Sequence, residues 1–401
     1  MTSAERHEAR YRRRKAAREA KRREKLDRYD SFLRVTEPTA LLRANWDSRQ
    51  GVTFKASVAR YDAHAYRNSF LLSRDLRAEK KIHEGFYSFT VVERGKTRQI
   101  HSLHYRERVV RRSVCINALV PILSANLIYD NGASLRGKGV SFSADRCETH
   151  LHRYFRETGT NVGWVILIDF KGYFDNILHT PLFDIFDHYL HDERLNRLCR
   201  SFVSCTDNDR PPEQRGKGLY IGPEDSQIYA VAYPNRIDHK IKDGWRVKYY
   251  GRYMDDSYLI VRTKDEARTI LDALLREYAK LGIVVSPKKT RIQKLEHGFT
   301  FLKTRYILTE TGRVIRKPDR TGITRERRKL KRQYKLVTSG VMNVEGVAMS
   351  YMSWRGATLA RDAYRTVRNM DALFYKLFGA KPWIKNQFRR YTYEPYIRRT
   401  A

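Results

Sequence analysis

The stretch Val247–Val261, VKYYGRYMDDSYLIV, sets two adjacent aspartates, Asp255 and Asp256, between two runs rich in apolar and aromatic residues. The runs read as two strands and the aspartates as the turn between them. Asp tolerates turn geometry, so a polar hairpin turn accounts for the pair. Two carboxylates fixed on a tight turn are also half of a divalent-metal site. The local spacing fits both readings, and the rest of the chain has to decide.

A second strand ends in the same way. NVGWVILIDF (161–170) is almost wholly apolar until it delivers Asp169, the pattern of a buried strand. A single strand-end Asp commonly caps a helix. If the two strands are neighbours in one sheet, however, three carboxylates converge. That is the arrangement two-metal nucleotidyl transfer requires, with one ion activating the attacking hydroxyl and the other steadying the leaving pyrophosphate.

Composition points the same way. The chain has 401 residues, 80 Lys and Arg against 45 Asp and Glu, a formal net charge of +35, and 41% hydrophobic residues. It is therefore long and apolar enough for a folded core of two or three subdomains. An excess of this size repels itself unless a polyanion relieves it, and nucleic acid is the usual polyanion. No apolar run approaches the roughly 18 residues needed to span a bilayer, and the charged N-terminus lacks the apolar segment of a signal peptide. Cys115, Cys147, Cys199 and Cys205 form no CxxC pair, which suits a reducing cytoplasm rather than a zinc module or disulfide framework.

The first 26 residues carry eleven Lys or Arg and four Glu, with high helix propensity and almost no apolar face. They read as a basic helical arm or a solubilising tail. Beyond Tyr29 the composition becomes globular. FYSFTVVERGKTRQIHSL (86–103) predicts two strands around a Gly95 turn,. RERVVRRSVCINALVPIL predicts a helix with one apolar side, and GASLRGKGVSFSADRCETHLHRYF a basic loop opening into another. DEARTILDALLREYAKLGI is amphipathic through Ile270, Leu274 and Tyr278, and RERRKLKRQYKL is a strongly basic helix. Strands and helices mixed without strict alternation predict an α+β architecture.

Several motifs in this order resemble the reverse transcriptases: LIDFKGYFDNI, IGPEDSQ, RYMDDSYLI, LGIVVSPKKT and FLKTRYILT, which together with the fingers strands cover most of Phe86–Leu308. The resemblance implies a right-hand polymerase fold with fingers, palm and a helical thumb. It implies an N-terminal arm over 1–28, fingers and palm over 29–308, and a thumb with a basic C-terminus over 309–401. It makes Asp169, Asp255 and Asp256 the ligands of two Mg²⁺ ions, with Mn²⁺ as a possible substitute. Phe174 falls where the family places a ring beneath the incoming sugar, which selects deoxynucleotides by excluding a 2′-hydroxyl. Arg98, with Lys96 as a second candidate, matches the fingers residue that grips the triphosphate, where a bidentate guanidinium suits phosphate. Lys289 matches the lysine that protonates departing pyrophosphate, and Lys288 is its rival. Ile221, Gly222 and Gln227 fall at the nucleotide. Arg136, Lys138, Ser226 and Tyr253 fall on the nucleic-acid track. For each basic residue a plain solvated charge stays open.

The second motif separates subgroups. Most relatives have Gln before the Gly and Ser-Pro at its end; here Ile221 precedes Gly222 and Gln227 follows Ser226. This pattern resembles reverse transcriptases of diversity-generating retroelements, which copy a template RNA into cDNA with errors at template adenines (mutagenic retrohoming). SYMSWRGATLARDAYRTVRNMDAL resembles the thumb of that group, whereas FLKTR departs from the family with Lys303 where many relatives have Gly. The implied partners are template RNA, a cDNA or DNA primer, dNTPs and a small oligomeric accessory protein, in a prokaryotic or phage-encoded cytoplasmic setting without a membrane. About 90 residues follow the polymerase motifs, too few for a thumb plus an RNase H domain. Two alternatives are an antiphage reverse transcriptase and a non-catalytic RNA-binding scaffold on a polymerase fold.

Overall fold

The structure, a computed structural model, describes residues 2–93, 95–208 and 210–382. The basic C-terminal stretch from 383 onward lies outside the described residues. Strands β1 (Phe86–Glu93), β2 (Lys96–Leu103), β3 (Trp164–Asp169), β4 (Tyr249–Tyr253), β5 (Asp256–Val261), β6 (Arg291–Lys294), β7 (Phe299–Phe301), β8 (Thr304–Leu308) and β9 (Val314–Pro318) alternate irregularly with helices. They form a β1-β2 hairpin, a four-stranded sheet of order β4-β5-β3-β6 and a three-stranded β7-β8-β9 sheet. The two carboxylate-bearing strands, β3 and β5, are neighbours.

Two compact units divide the chain. The first comprises Met1–Ser143, Ile168–Ser257 and Arg268–Arg291; the second comprises Ala144–Leu167, Tyr258–Ala267 and the chain from Ile292.

The first unit opens with helix Ser3–Asp27. Thr2 caps it reciprocally with Glu5, each side chain accepting the other residue's backbone N–H, the capping-box arrangement. The helix has no apolar stripe, so propensity and capping rather than burial hold it. Beyond it, the Asp30 carboxylate accepts the His191 N–H at 2.6 Å, and Asp192 accepts the Phe32 N–H at 2.7 Å. Helices Pro38–Ser48, Ala65–Arg77 and Tyr105–Val114 bury Leu41, Leu72, Val109 and Val114 completely. The β1-β2 hairpin pairs antiparallel from Phe86↔Leu103 to Glu93↔Lys96, as the Gly95 turn predicts.

In the second unit, helices Arg320–Thr338, Val344–Leu359 and Tyr364–Phe378 share a core of Leu330, Val347, Tyr351, Met370 and Phe374. The Tyr351 hydroxyl donates to Asp371 at 2.6 Å, and Arg355 bonds the same carboxylate. All four cysteines are buried and free. No described helix is long and apolar enough to cross a membrane.

Candidate active site

Asp169 is reached by burial. β3 alternates no polarity because every residue after Trp164 is buried, and Asp169 at its end keeps only 8% exposure. Its backbone is fixed on one side by the Val284–Thr290 segment. The Ser286 N–H donates to the Asp169 carbonyl at 2.8 Å, and the Lys171 N–H to the Val284 carbonyl at 2.7 Å. The same segment delivers Lys289, whose Nζ stands 2.6 and 2.7 Å from the two Asp169 oxygens.

The other two carboxylates sit on the β4-β5 turn. Met254 adopts a left-handed conformation, φ +57°, uncommon for a residue with a side chain. Asp255 follows in the turn, and Asp256 opens β5. The Asp255 carbonyl accepts the Phe170 N–H at 3.3 Å, which ties the turn to the residue after Asp169. Asp256 reports the crowding. Burial, then the Asp255 and Asp169 charges, then a hydrogen bond with Asp169 push its carboxyl up to about 7, while Lys289 opposes them. The hydrogen bond to Asp169 in turn raises the Lys289 ammonium.

Three carboxylates on two adjacent strand ends are an all-oxygen donor set of the kind hard divalent cations take. A buried carboxyl driven up by like charge is relieved by a cation placed among the same oxygens. Asp169, Asp255 and Asp256 could therefore hold a divalent ion.

The second motif is positioned from the β1-β2 hairpin. The His101 N–H donates to the Ile221 carbonyl at 3.0 Å, and the His101 ring stacks on Tyr220 at 3.7 Å. Gly222, φ +142°, passes so close that a Cβ there would lie 2.3 Å from the His101 carbonyl oxygen. Only glycine permits that approach. Helix Glu224–Ala232 starts immediately afterwards, with Glu224 and Asp225 in its first turn, where the helix dipole favours negative charge. Ser226 is buried, and Ile221 and Gln227 are half-buried.

The remaining predicted residues are placed as follows. Phe174 is half-buried, and its carbonyl accepts the Leu219 N–H at 2.8 Å, close along the chain to Ile221. Tyr253 is half-buried at the end of β4. Arg98 is exposed on β2 opposite Val91. Lys96 opens β2, and its side chain lies outside the described residues. Arg136 and Lys288 are exposed. Lys138 is turned onto its own loop, where Nζ donates to the Tyr129 and Asn131 carbonyls at 2.7 and 2.9 Å.

Two buried arginines escaped the sequence reading. Arg111, 2% exposed, bonds Asp225 at 2.8 Å and Glu107 at 2.6 Å. It also donates to Cys205 Sγ at 3.3 Å. Glu107 and Cys205 lie with His83 within 4.8 Å of one another, but the guanidinium already supplies the positive charge that a metal would bring to them. Arg252 is 1% exposed and pairs with Asp238, which is 0% exposed. For Arg252 the available signal was a charge inside an otherwise apolar strand, since a lone buried charge is untenable without a partner.

A family model of reverse transcriptase (RNA-dependent DNA polymerase) matches residues 86–305, more than half of the chain. The chain belongs to the reverse transcriptase family, and its α+β architecture is the right-hand polymerase fold of that family. Among solved structures it is similar to apo telomerase from Candida tropicalis, truncated from its C-terminal domain. There the identity is 17% over 58% of this chain and 54% of that one, at a TM-score of 0.44. It is also similar to telomerase from Candida albicans in complex with a TWJ fragment of telomeric RNA. The identity there is 12% over 78% of this chain and 57% of that one, at a TM-score of 0.48. The chain thus spans about half the length of these telomerases. No curated protein matches it.

Proposed function

We propose that the chain is an RNA-directed DNA polymerase of the diversity-generating retroelement type, copying template RNA into cDNA with errors at template adenines. The observation that carries the polymerase reading is the convergence of Asp169, Asp255 and Asp256 at neighbouring strand ends, with Lys289 against Asp169. In this reading Asp169, Asp255 and Asp256 would hold two Mg²⁺ ions, which would supply charge neutralisation to the transferred phosphoryl group. Asp169 and Asp256 bring the anionic oxygens to one place. Lys289 holds a proton beside them and gives it to the leaving pyrophosphate. Arg98 grips the triphosphate, and the half-buried Phe174 ring excludes a ribose 2′-hydroxyl.

The subgroup reading rests on the second motif. Ile221 stands where most relatives carry Gln, so a polar contact near the nascent base pair is exchanged for an aliphatic one, which loosens its selection. The basic helix Ser3–Asp27 and the helices after Asp319 meet template RNA through phosphates, so binding weakens as salt rises. The arm, fingers-palm and thumb divisions at 1–28, 29–308 and 309–401 belong to the same proposal, as does a small oligomeric accessory protein.

The test supplies purified protein with template RNA, Mg²⁺ and four dNTPs, and sequences the cDNA beside an Asp255→Ala control. The expected result is cDNA with errors concentrated at template adenines, lost in the variant. Faithful cDNA refutes the subgroup. RNA binding with no Mg²⁺-dependent synthesis, even with the native RNA and accessory protein added, leaves a scaffold.

A further inference from the structure

The β4-β5 turn is braced from beneath by one side chain. Arg252 lies on β4, two residues before the left-handed Met254, and all three of its nitrogens are engaged. Nε bonds both Asp238 oxygens at 2.9 and 3.0 Å, and Nη2 bonds Asp238 at 2.6 Å and the Val231 carbonyl at 2.8 Å. Nη1 donates to the Met254 carbonyl at 3.1 Å. Asp238 is aligned by Tyr250, whose hydroxyl donates to Oδ1 at 2.5 Å. The backbone of Arg252 is held too: its N–H donates to the Asp130 carbonyl, and its own carbonyl accepts the Gly132 N–H.

A fully buried ion pair is no bargain in stability, since well-packed apolar residues of similar volume commonly do as well or better. What an apolar pair could not supply is the bond from Nη1 to Met254. A non-glycine residue in the left-handed region is strained, and something must hold it there. The same guanidinium reaches the last turn of helix Glu224–Ala232 through Val231. It therefore joins the helix of the second motif to the turn that carries Asp255 and Asp256.

We infer that Arg252 is a positioning residue, which locks Met254 in its left-handed conformation so that Asp255 and Asp256 face Asp169. The inference rests on the polymerase reading for its kinetic consequence, but its geometric consequence is metal affinity at the carboxylates.

The test compares wild type with Arg252→Lys and with the double variant Arg252→Met/Asp238→Leu, which removes both charges at once. Asp255→Ala is the control for the site. Three quantities are read: the thermal midpoint, Mn²⁺ binding to the free protein by electron paramagnetic resonance, and kcat and KM for dNTP in primer extension. The double variant is expected to melt close to wild type, bind Mn²⁺ about 10-fold more weakly, and lose about 10²-fold in kcat with KM little changed, the cost of misplacing reacting groups by about 1 Å. Arg252→Lys keeps the charge opposite Asp238 but cannot span three partners, and is expected to shift the same way. A folded double variant with wild-type Mn²⁺ affinity and kcat would overturn the inference. If the double variant does not fold, Arg252→Lys decides: wild-type values, or failure to fold, make the arginine merely structural. A wild type that binds Mn²⁺ through Asp255 yet makes no cDNA would sink the polymerase reading, and the Mn²⁺ comparison would still judge Arg252.

Discussion

Asp256→Asn should make the metal-free protein more stable and the enzyme inactive. In the folded chain the Asp256 carboxyl is pushed from 3.8 to about 7, by burial first and then by Asp255 and Asp169. A full shift of that size corresponds to about 4 kcal/mol. Asp256 is only partly buried, and solvent screening reduces the expected figure to about 1–2 kcal/mol. The sign follows from the direction. Because the folded pKa lies above the unfolded one, the group favours folding at pH below about 4 and loses that advantage as pH rises through about 7. Asparagine carries no charge at any pH, so its advantage over aspartate grows across that window and levels off above it. Urea denaturation in EDTA at pH 5 and pH 8 measures this, and the advantage at pH 8 should exceed that at pH 5. Primer extension by the same variant should fall by about 10²-fold or more, because one anionic oxygen donor is gone. A variant no more stable than wild type at pH 8, or equally stabilised at both pH values, would refute the like-charge account of the site.

Further predictions concern other parts of the chain. Phe174→Ala should admit ribonucleotides, lowering the ratio of dNTP to rNTP kcat/KM by about 10–100-fold, with dNTP incorporation still measurable; an unchanged ratio would remove Phe174 from sugar selection. Gly222→Ala places a Cβ 2.3 Å from the His101 carbonyl at φ +142°, and should cost about 2 kcal/mol or more in chemical denaturation. Lys303→Gly should instead stabilise by about 1 kcal/mol, because Leu302 and Lys303 form the two-residue β7-β8 turn at φ +47° and +60°; a lower denaturation midpoint for that variant would contradict the strain assigned to the turn.

That last turn shows what sequence could and could not convey. FLKTR is read from the sequence as a departure from a glycine pattern, and only the backbone explains why glycine suits the position: both residues of a two-residue hairpin turn have positive φ. The elements themselves were legible because their signals are local. An unbroken apolar run gave β3, a two-strand pattern around Gly95 gave β1 and β2, and the 3.6-residue period of Ile270, Leu274 and Tyr278 gave helix Lys264–Lys280. The β3-β5 adjacency came from the carboxylates at their ends rather than from any property of the strands. Buried long-range pairs had no comparable signal. Asp225 lies 114 residues from Arg111, and neither position is distinguishable in the sequence from an ordinary charged helix face.

Those pairs also give the carboxylate cluster its meaning. Twice in the first unit a buried aspartate is matched by a buried arginine: Asp225 by Arg111, and Asp238 by Arg252. Burial raises the Asp225 carboxyl, and Arg111 works against that rise. At these two positions the fold brings a guanidinium to an aspartate whose charge is structural. At Asp256 it does otherwise. The strongest influences there after burial are two more carboxylates, and the opposing cation is Lys289, whose side chain is 56% exposed on a segment bonded to Asp169. A compact, flexible ammonium can leave a carboxylate at far lower cost than a buried, forked guanidinium can. The counter-charge beside Asp169 and Asp256 is thus an exposed lysine that polymerase chemistry can exchange, whereas Asp225 and Asp238 are each held by a buried arginine.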